Sequence, residues 1–459
     1  MHIRNEQLHR LYAVTMTDFG VVTWAFNARY GSKNLIVTPS NGGKTSESLA
    51  KVSALAVTKY SDEDEVTRDN IRHAACGRKP TSTTKAFRRA RAQQYPTIAS
   101  LDVIPESLGY TFTGLHANPE DAQFKEIMLR YKSPELVLFL SPYGSALLKR
   151  SEHIICDGTF KFAPQGTTQI YRIFGLIGGE ATPFATALMT RKREQDYELL
   201  WTHVRSALDE SSAVFNIRFA HFDSEVAAVK AFQRKFPEVK PKMCLFHVKQ
   251  NITRHMQRLG LISIYESNPL MEKVVRQLGA LCLIPVNTVE TTFEQLRSDL
   301  PSSDDDENWP PGTCTRLQQL YDYYQKEWIQ HHLGIDFVNL YDITDGPRTT
   351  NNAEGYHSGQ RYRYRAQNMP LGEWLHNFQK VHHFEETHIR DVLNGRSTAP
   401  PRLDRTVNND RQLKQAREGL EISLDLDGEN SADAIKDYLA RVGAIIGYNR
   451  TEYIECDEE

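Results

Sequence analysis

His153-Ile154-Ile155-Cys156-Asp157 is a short apolar run that ends in a carboxylate, and the pattern of the chain changes sharply there. Thr168–Leu176 and Thr182–Met189 follow, rich in β-branched, aromatic and other apolar residues, with the turn-forming pair Gly178-Gly179 between them. Three consecutive strands result, most simply an antiparallel meander. From Gln195 to Leu208, the residues Tyr197, Leu200, Trp201, Val204 and Leu208 share one helical face. The spacing then predicts a strand over Asn216–Phe222 ending at Asp223, a helix over Ser224–Phe236 that Pro237 stops, a fifth strand over Lys242–Phe246, and a third helix from about Val248.

The element order is β-β-β-α-β-α-β-α. This is an α/β chain with the RNase H-like arrangement, a three-stranded meander followed by two strands reached through helical crossovers. Working outward, 151–250 holds the first part of this core. Residues 251–345 break the alternation with helices at Leu270–Leu281, Val289–Leu300 and Arg316–Gln330, and read as an α-helical insertion. The core resumes over 346–394, where Asn351-Asn352-Ala353-Glu354 is expected to open a helix capped by the asparagines. Residues 395–459 read as a linker and tail with one modest helix, Ala432–Ile446. Upstream, 100–150 reads as a helical lead-in, with Phe124, Ile127, Met128 and Tyr131 at helical spacing. Residues 1–99 are mixed: strands at Val21–Trp24 and Leu35–Thr38, a helix over Thr45–Tyr60, then a basic segment, 68–91.

Asp157 and Asp223 close strands that lie side by side at the centre of such a sheet. Two carboxylates that converge repel each other, and a divalent cation keeps both ionised. Oxygen ligands favour Mg2+ or Mn2+ over zinc. Two ions about 3.5–4 Å apart are the usual complement for phosphodiester chemistry. A single aspartate at a strand end is usually a cap or turn residue; two on the right strands point further.

The block Cys156-Asp157-Gly158-Thr159-Phe160, then His221-Phe222-Asp223-Ser224-Glu225 with Phe236-Pro237, then Cys244-Leu245-Phe246-His247, resembles the MULE (Mutator-like element) transposase domain. Thr350-Asn351-Asn352-Ala353-Glu354-Gly355-Tyr356-His357 resembles the motif that carries that family's third acid. The resemblance covers roughly residues 150 to 360. It implies a DDE-type transposase with Asp157, Asp223 and Glu354 as catalytic, metal-binding carboxylates. The implied partners are element-end and target DNA, the protein acting as a homo-oligomer in the DNA complex, in the nucleus. The resemblance also implies an N-terminal zinc-finger module. Its Cys2His2 spacing is not found: His73 and Cys76 lie close together, but no second cysteine precedes them. End recognition then falls to the basic region, or the module has been lost.

Cys244 and His247 have C-x2-H spacing, compatible with metal binding. Two ligands do not make a zinc site, so zinc is left open, and a buried cysteine beside a hydrogen-bonded histidine is the expected role. Arg88, Arg89 and Arg91 in the basic segment, and Arg361, Arg363 and Arg365 alternating with Tyr362 and Tyr364, are the DNA-contact candidates. Solvated helix faces and exposed edge strands show the same patterns without nucleic acid.

Composition is compatible with this reading. Hydrophobic residues at 40% and charged residues at 25% are ordinary for a globular protein, and a net charge of -3 leaves room for local basic patches. The six cysteines are scattered and imply no disulfide framework, and an intracellular protein with no membrane span is expected. Two functions compete: an active transposase, and a host-adopted, non-catalytic DNA-binding or regulatory protein on the same fold. The three acids favour the first, the missing finger the second.

Overall fold

The computed structural model describes residues 10–17, 20–27, 32–38, 95–111, 126–301, 309–364, 367–399, 402–426 and 431–447. The chain divides into two compact units, Met1–Ile98 with Pro370–His376, and Ala99–Met369 with Asn377–Glu459. In the first, β1 (Arg10–Thr17), β2 (Gly20–Asn27) and β3 (Ser32–Thr38) form an antiparallel sheet. The two strands expected there are present, and β1 adds a third. The Thr45–Tyr60 helix, the basic segment, His73 and Cys76 lie outside the described residues.

The second unit is built on a mixed seven-stranded sheet of order β10-β9-β6-β7-β8-β5-β4. Its centre is β6 (His153–Thr159), β7 (Gln169–Ile177) and β8 (Glu180–Met189), paired antiparallel. Gly178 and Gly179, at φ 61° and 83°, connect paired Ile177 and Glu180. Two consecutive left-handed residues make the tight hairpin whose twist matches the strands, and side chains there would be strained. On the other side of β6, β9 (Phe219–Phe222) and then β10 (Lys240–Met243) pair in parallel. Parallel pairing requires crossovers, supplied by α2 (Glu194–Glu210) between β8 and β9 and α3 (Val226–Lys235) between β9 and β10.

The helical lead-in expected over 100–150 is a correction. β4 (Leu129–Lys132) and β5 (Leu136–Leu140) extend the sheet beyond β8, and the only helix longer than a single turn described there is α1 (Pro142–Arg150). Leu136–Leu140 is buried throughout. A continuous apolar run of that length carries no period, and Ile127, Met128 and Tyr131 fit either template. Pairing with β8 decides the outcome.

Alternation along the strands sorts the two faces. Ile154, Cys156, Tyr171, Ile173, Ala220 and Phe222 join the main core with Tyr197, Leu200, Trp201 and Phe232 of α2 and α3. Ile155 and Phe174 face the other way and pack with Ala353 and Tyr356 of a later helix, α10 (Asn351–Arg363). Asp157, two residues after Ile155, shares that second face.

After β10 come α4 (Leu245–Arg258), α5 (Ile262–Ser267), α6 (Pro269–Ala280), α7 (Val289–Ser298), α8 (Thr313–Tyr324) running into a π-turn at Gln325–Ile329, and α9 (Ile335–Val338). The stretch between β10 and α10 is therefore mostly helical, as its periodicity predicts. Buried Lys242 of β10 ties its exit down: Nζ lies 2.8 Å from Asp342, 3.0 Å from the Asp336 carbonyl and 2.8 Å from the Asn339 carbonyl. The chain closes with α11 (Leu371–Leu393), α12 (Asp404–Leu426) and α13 (Ser431–Ile446). The expected linker and tail is a second correction. Ala416, Leu420, Ile435, Leu439 and Val442 are buried in the main core, and the Tyr438 hydroxyl donates to the Leu283 carbonyl at 3.0 Å. The apolar stripe of α12 is sparse among charges, so periodicity alone reads as a tail.

His153 and His221 pair on the second face, Nδ1 to Nε2 at 3.0 Å, both buried. Burial, then the charges of His153, Lys242 and Arg348, push His221 down to about 3. An unfolded chain takes up this proton near the ordinary value of 6.5, so stability is expected to fall as pH drops from there toward 3. His221 contributes a slope of about 1.4 kcal/mol per pH unit. Urea titrations across that range check it: His221→Gln should flatten the slope, and an unchanged slope contradicts the assignment.

Candidate active site at the end of the central strands

Cys156 of β6 pairs with Phe222 of β9 in parallel register, so Asp157 and Asp223 follow at the same level on neighbouring strands. Asp157 is still inside β6, which runs on to Thr159, whereas Asp223 is the first residue beyond β9. A Cβ at Gly158 would meet Gln169 Oε1 at 2.8 Å, so a larger residue there would make the Gln169 side chain shift.

Burial is the largest influence on Asp223, and Asp157 and Glu225 add like charge, together pushing its carboxyl up to about 6. The Glu225 backbone N–H donates to Asp223 Oδ1 at 2.9 Å and offsets this in part. Two carboxylates side by side, offering oxygen atoms alone, have the donor chemistry for a hard divalent cation.

Glu354 sits in the first turn of α10, half-buried. Thr350, not an asparagine, occupies the cap position, and Asn351 and Asn352 are already inside the helix. Thr350 joins three parts of the site. Its N–H and hydroxyl lie 3.2 and 3.3 Å from Cys244 Sγ, and the hydroxyl also lies 3.3 Å from Glu354 Oε1. One turn further along α10, His357 Nδ1 meets Asp157 Oδ2 at 3.1 Å. The helix that carries Glu354 is thus fastened to the strand that carries Asp157.

The structure links the two residues of the C-x2-H pair and gives each a further contact. Cys244 is buried between β10 and α4 and bonds Thr350. Burial disfavours a charged His247, but Cys244, Asp223 and Glu354 prevail and push it up to about 9. His247 therefore stands electrostatically among the acids. Cys244→Ala is expected to lower stability by about 1–3 kcal/mol, because it leaves the buried Thr350 N–H without its partner. A denaturant melt that matches the unsubstituted protein would contradict that.

Asp157 is carried by β6, Asp223 follows β9, and Glu354 is carried by α10. As they stand, no three His, Cys, Asp or Glu among the described residues are gathered closely enough to hold a metal ion. The aspartate pair fits a shared cation; Glu354 is engaged with Thr350. Arg363 reaches Glu385 at 3.1 Å and lies over the Tyr356 ring, and Tyr364 is buried. The Arg361 side chain, Arg365, Arg88, Arg89 and Arg91 lie outside the described residues. Sequence reasoning gave no role to Thr350 or to Glu225, although both stand inside the motifs it singled out.

Residues 153–251 match the family model of the MULE transposase domain. No curated protein matches the chain. The MULE match begins with β6 and runs into α4, so it contains Asp157, Asp223, Cys244 and His247, and it points to a transposase-related function. A transposase-type domain implies interaction with DNA. No helix among the described residues is long and apolar enough to cross a membrane.

Proposed function

We propose that this chain is a DDE-type DNA transposase of the Mutator-like class on an RNase H-like core, with Asp157, Asp223 and Glu354 as its catalytic acids. It cuts element-end DNA and joins the 3′-hydroxyl to target DNA, acting as a homo-oligomer on DNA in the nucleus. One observation carries the reading: Asp157 on β6 lies level with Asp223, the residue that follows the adjacent parallel strand β9, and the Glu354 helix is tied to Asp157 through His357. The strand order, a meander flanked by two parallel crossover strands, supports the RNase H-like assignment.

Asp157 and Asp223 would hold Mg2+ or Mn2+, and Glu354 would join them on leaving the Thr350 hydroxyl. Bound divalent cations supply a lowered pKa for the attacking oxygen and stabilise charge on the leaving one. His357 holds Asp157 Oδ2 in a fixed orientation. His247 balances the carboxylate charge between Asp223 and Glu354. Arg88, Arg89, Arg91, Arg361, Arg363 and Arg365 are proposed DNA contacts, Arg363 on exchanging Glu385 for a phosphate.

The second reading, a non-catalytic DNA-binding protein, is favoured by the engagement of Glu354 with Thr350. Supercoiled plasmid separates the two. The first reading expects nicking in Mg2+ that chelation abolishes, and binding without nicking supports the second.

A further inference from the structure

Phe160 stands three residues after Asp157, just past the end of β6, and 50% of its surface faces solvent. Phe139, Phe174, Phe219 and Phe222 of the same sheet are all buried. A lone exposed aromatic is unremarkable in itself, but the surroundings of this one are specific. Lys192 Nζ lies 4.5 Å from the ring centroid, and 3.1 Å from a Glu225 carboxylate oxygen. The Glu225 backbone N–H in turn donates to Asp223 Oδ1 at 2.9 Å. A continuous line of contacts therefore leads from the ring, through an ammonium group, to the acids. Lys161 and Arg191 are exposed beside it in sequence.

We propose that Phe160 and Lys192 form a landing for unpaired DNA next to the scissile phosphate, Phe160 stacking on a base and Lys192 exchanging Glu225 for a phosphate. The inference rests on the function proposed above and names the form of DNA the site takes. Three residues of extended chain span about 10 Å, the reach of a few nucleotides at most. The stacked base is therefore close to the bond that is cut. A base inside a duplex has no free face, so the substrate has frayed, flipped or single-stranded nucleotides there. Stacking tolerates any base, and the ammonium contributes through charge.

The test uses the full chain with two single-stranded probes of equal length and charge, an oligothymidylate of about 16 nucleotides and its abasic counterpart. Fluorescence anisotropy should show the thymidylate bound at least about tenfold more tightly. Phe160→Ala should erase this preference with an unchanged melting temperature, the side chain being half exposed, and Phe160→Trp should keep it. Lys192→Gln should weaken both probes alike and reduce the slope of log K against log salt by about 0.7. Equal affinity for the two probes, or a preference that survives Phe160→Ala, overturns the landing. If the same preparation still nicks plasmid in Mg2+, the proposed function survives that failure. A chain that binds neither probe and leaves plasmid uncut overturns both.

Discussion

Asp157→Asn is expected to lower Mg2+-dependent strand cleavage by about a thousandfold or more while the protein stays folded. Asparagine keeps the size of the side chain and the oxygen that faces His357, but it loses the charge a hard cation needs. Asp223 is held up to about 6 first by burial and then by Asp157. Removing the neighbouring charge relieves that repulsion, so the metal-free variant should melt no lower than the unsubstituted protein. Loss of cleavage with loss of fold would carry no information about metal. The assignment therefore depends on both readings from one preparation, and a folded variant that nicks DNA at the normal rate would end it.

Glu354→Gln should be equally silent in cleavage, while substitution of each nearby acid should leave it within about threefold. The neighbours are otherwise engaged or placed elsewhere. Asp322 pairs with Arg297 on the insertion, and Glu327 lies in the π-turn after α8. Asp342 is held by Lys240 at 2.9 Å and Lys242 at 2.8 Å, which makes it a clasp on β10. Asp336 sits on α9, and Asp345 acts on His153. Glu373 is in the first turn of α11, where its charge suits the helix N-terminus. Glu354 alone lies on the helix that His357 ties to Asp157. Asp342→Asn is expected to reduce stability instead, since it leaves buried Lys242 without its countercharge. A neighbour's variant that is folded but dead, beside an active Glu354→Gln, would mean that the third acid has been misplaced.

The centre of the sheet was legible because its strands are bounded by strong local signals: the Gly178-Gly179 turn, Pro237 after α3, and apolar runs that stop at aspartates. The face each acid occupies also follows from alternation once the register is known. What periodicity could not resolve were segments whose state is decided by a distant partner. Leu136–Leu140 is apolar at every position and takes its conformation from β8, and α12 buries only a few residues of its length. At the site, the acids were readable one by one, but their coupling was not. Thr350 touches Cys244, 106 residues away in sequence, and His357 reaches Asp157 only because α10 folds across the second face. Cys244 and His247 share one motif and interact with each other, but the link from Cys244 to the cap of α10 is not contained in their spacing.

The central claim is that the two aspartates hold divalent metal. An electron paramagnetic resonance titration of the purified chain with Mn2+ tests it most directly. The account predicts about two bound ions per chain, with binding greatly weakened in Asp157→Asn and in Asp223→Asn and retained in Asp342→Asn. A chain that binds no Mn2+, or binds it equally well after both aspartate substitutions, would contradict it.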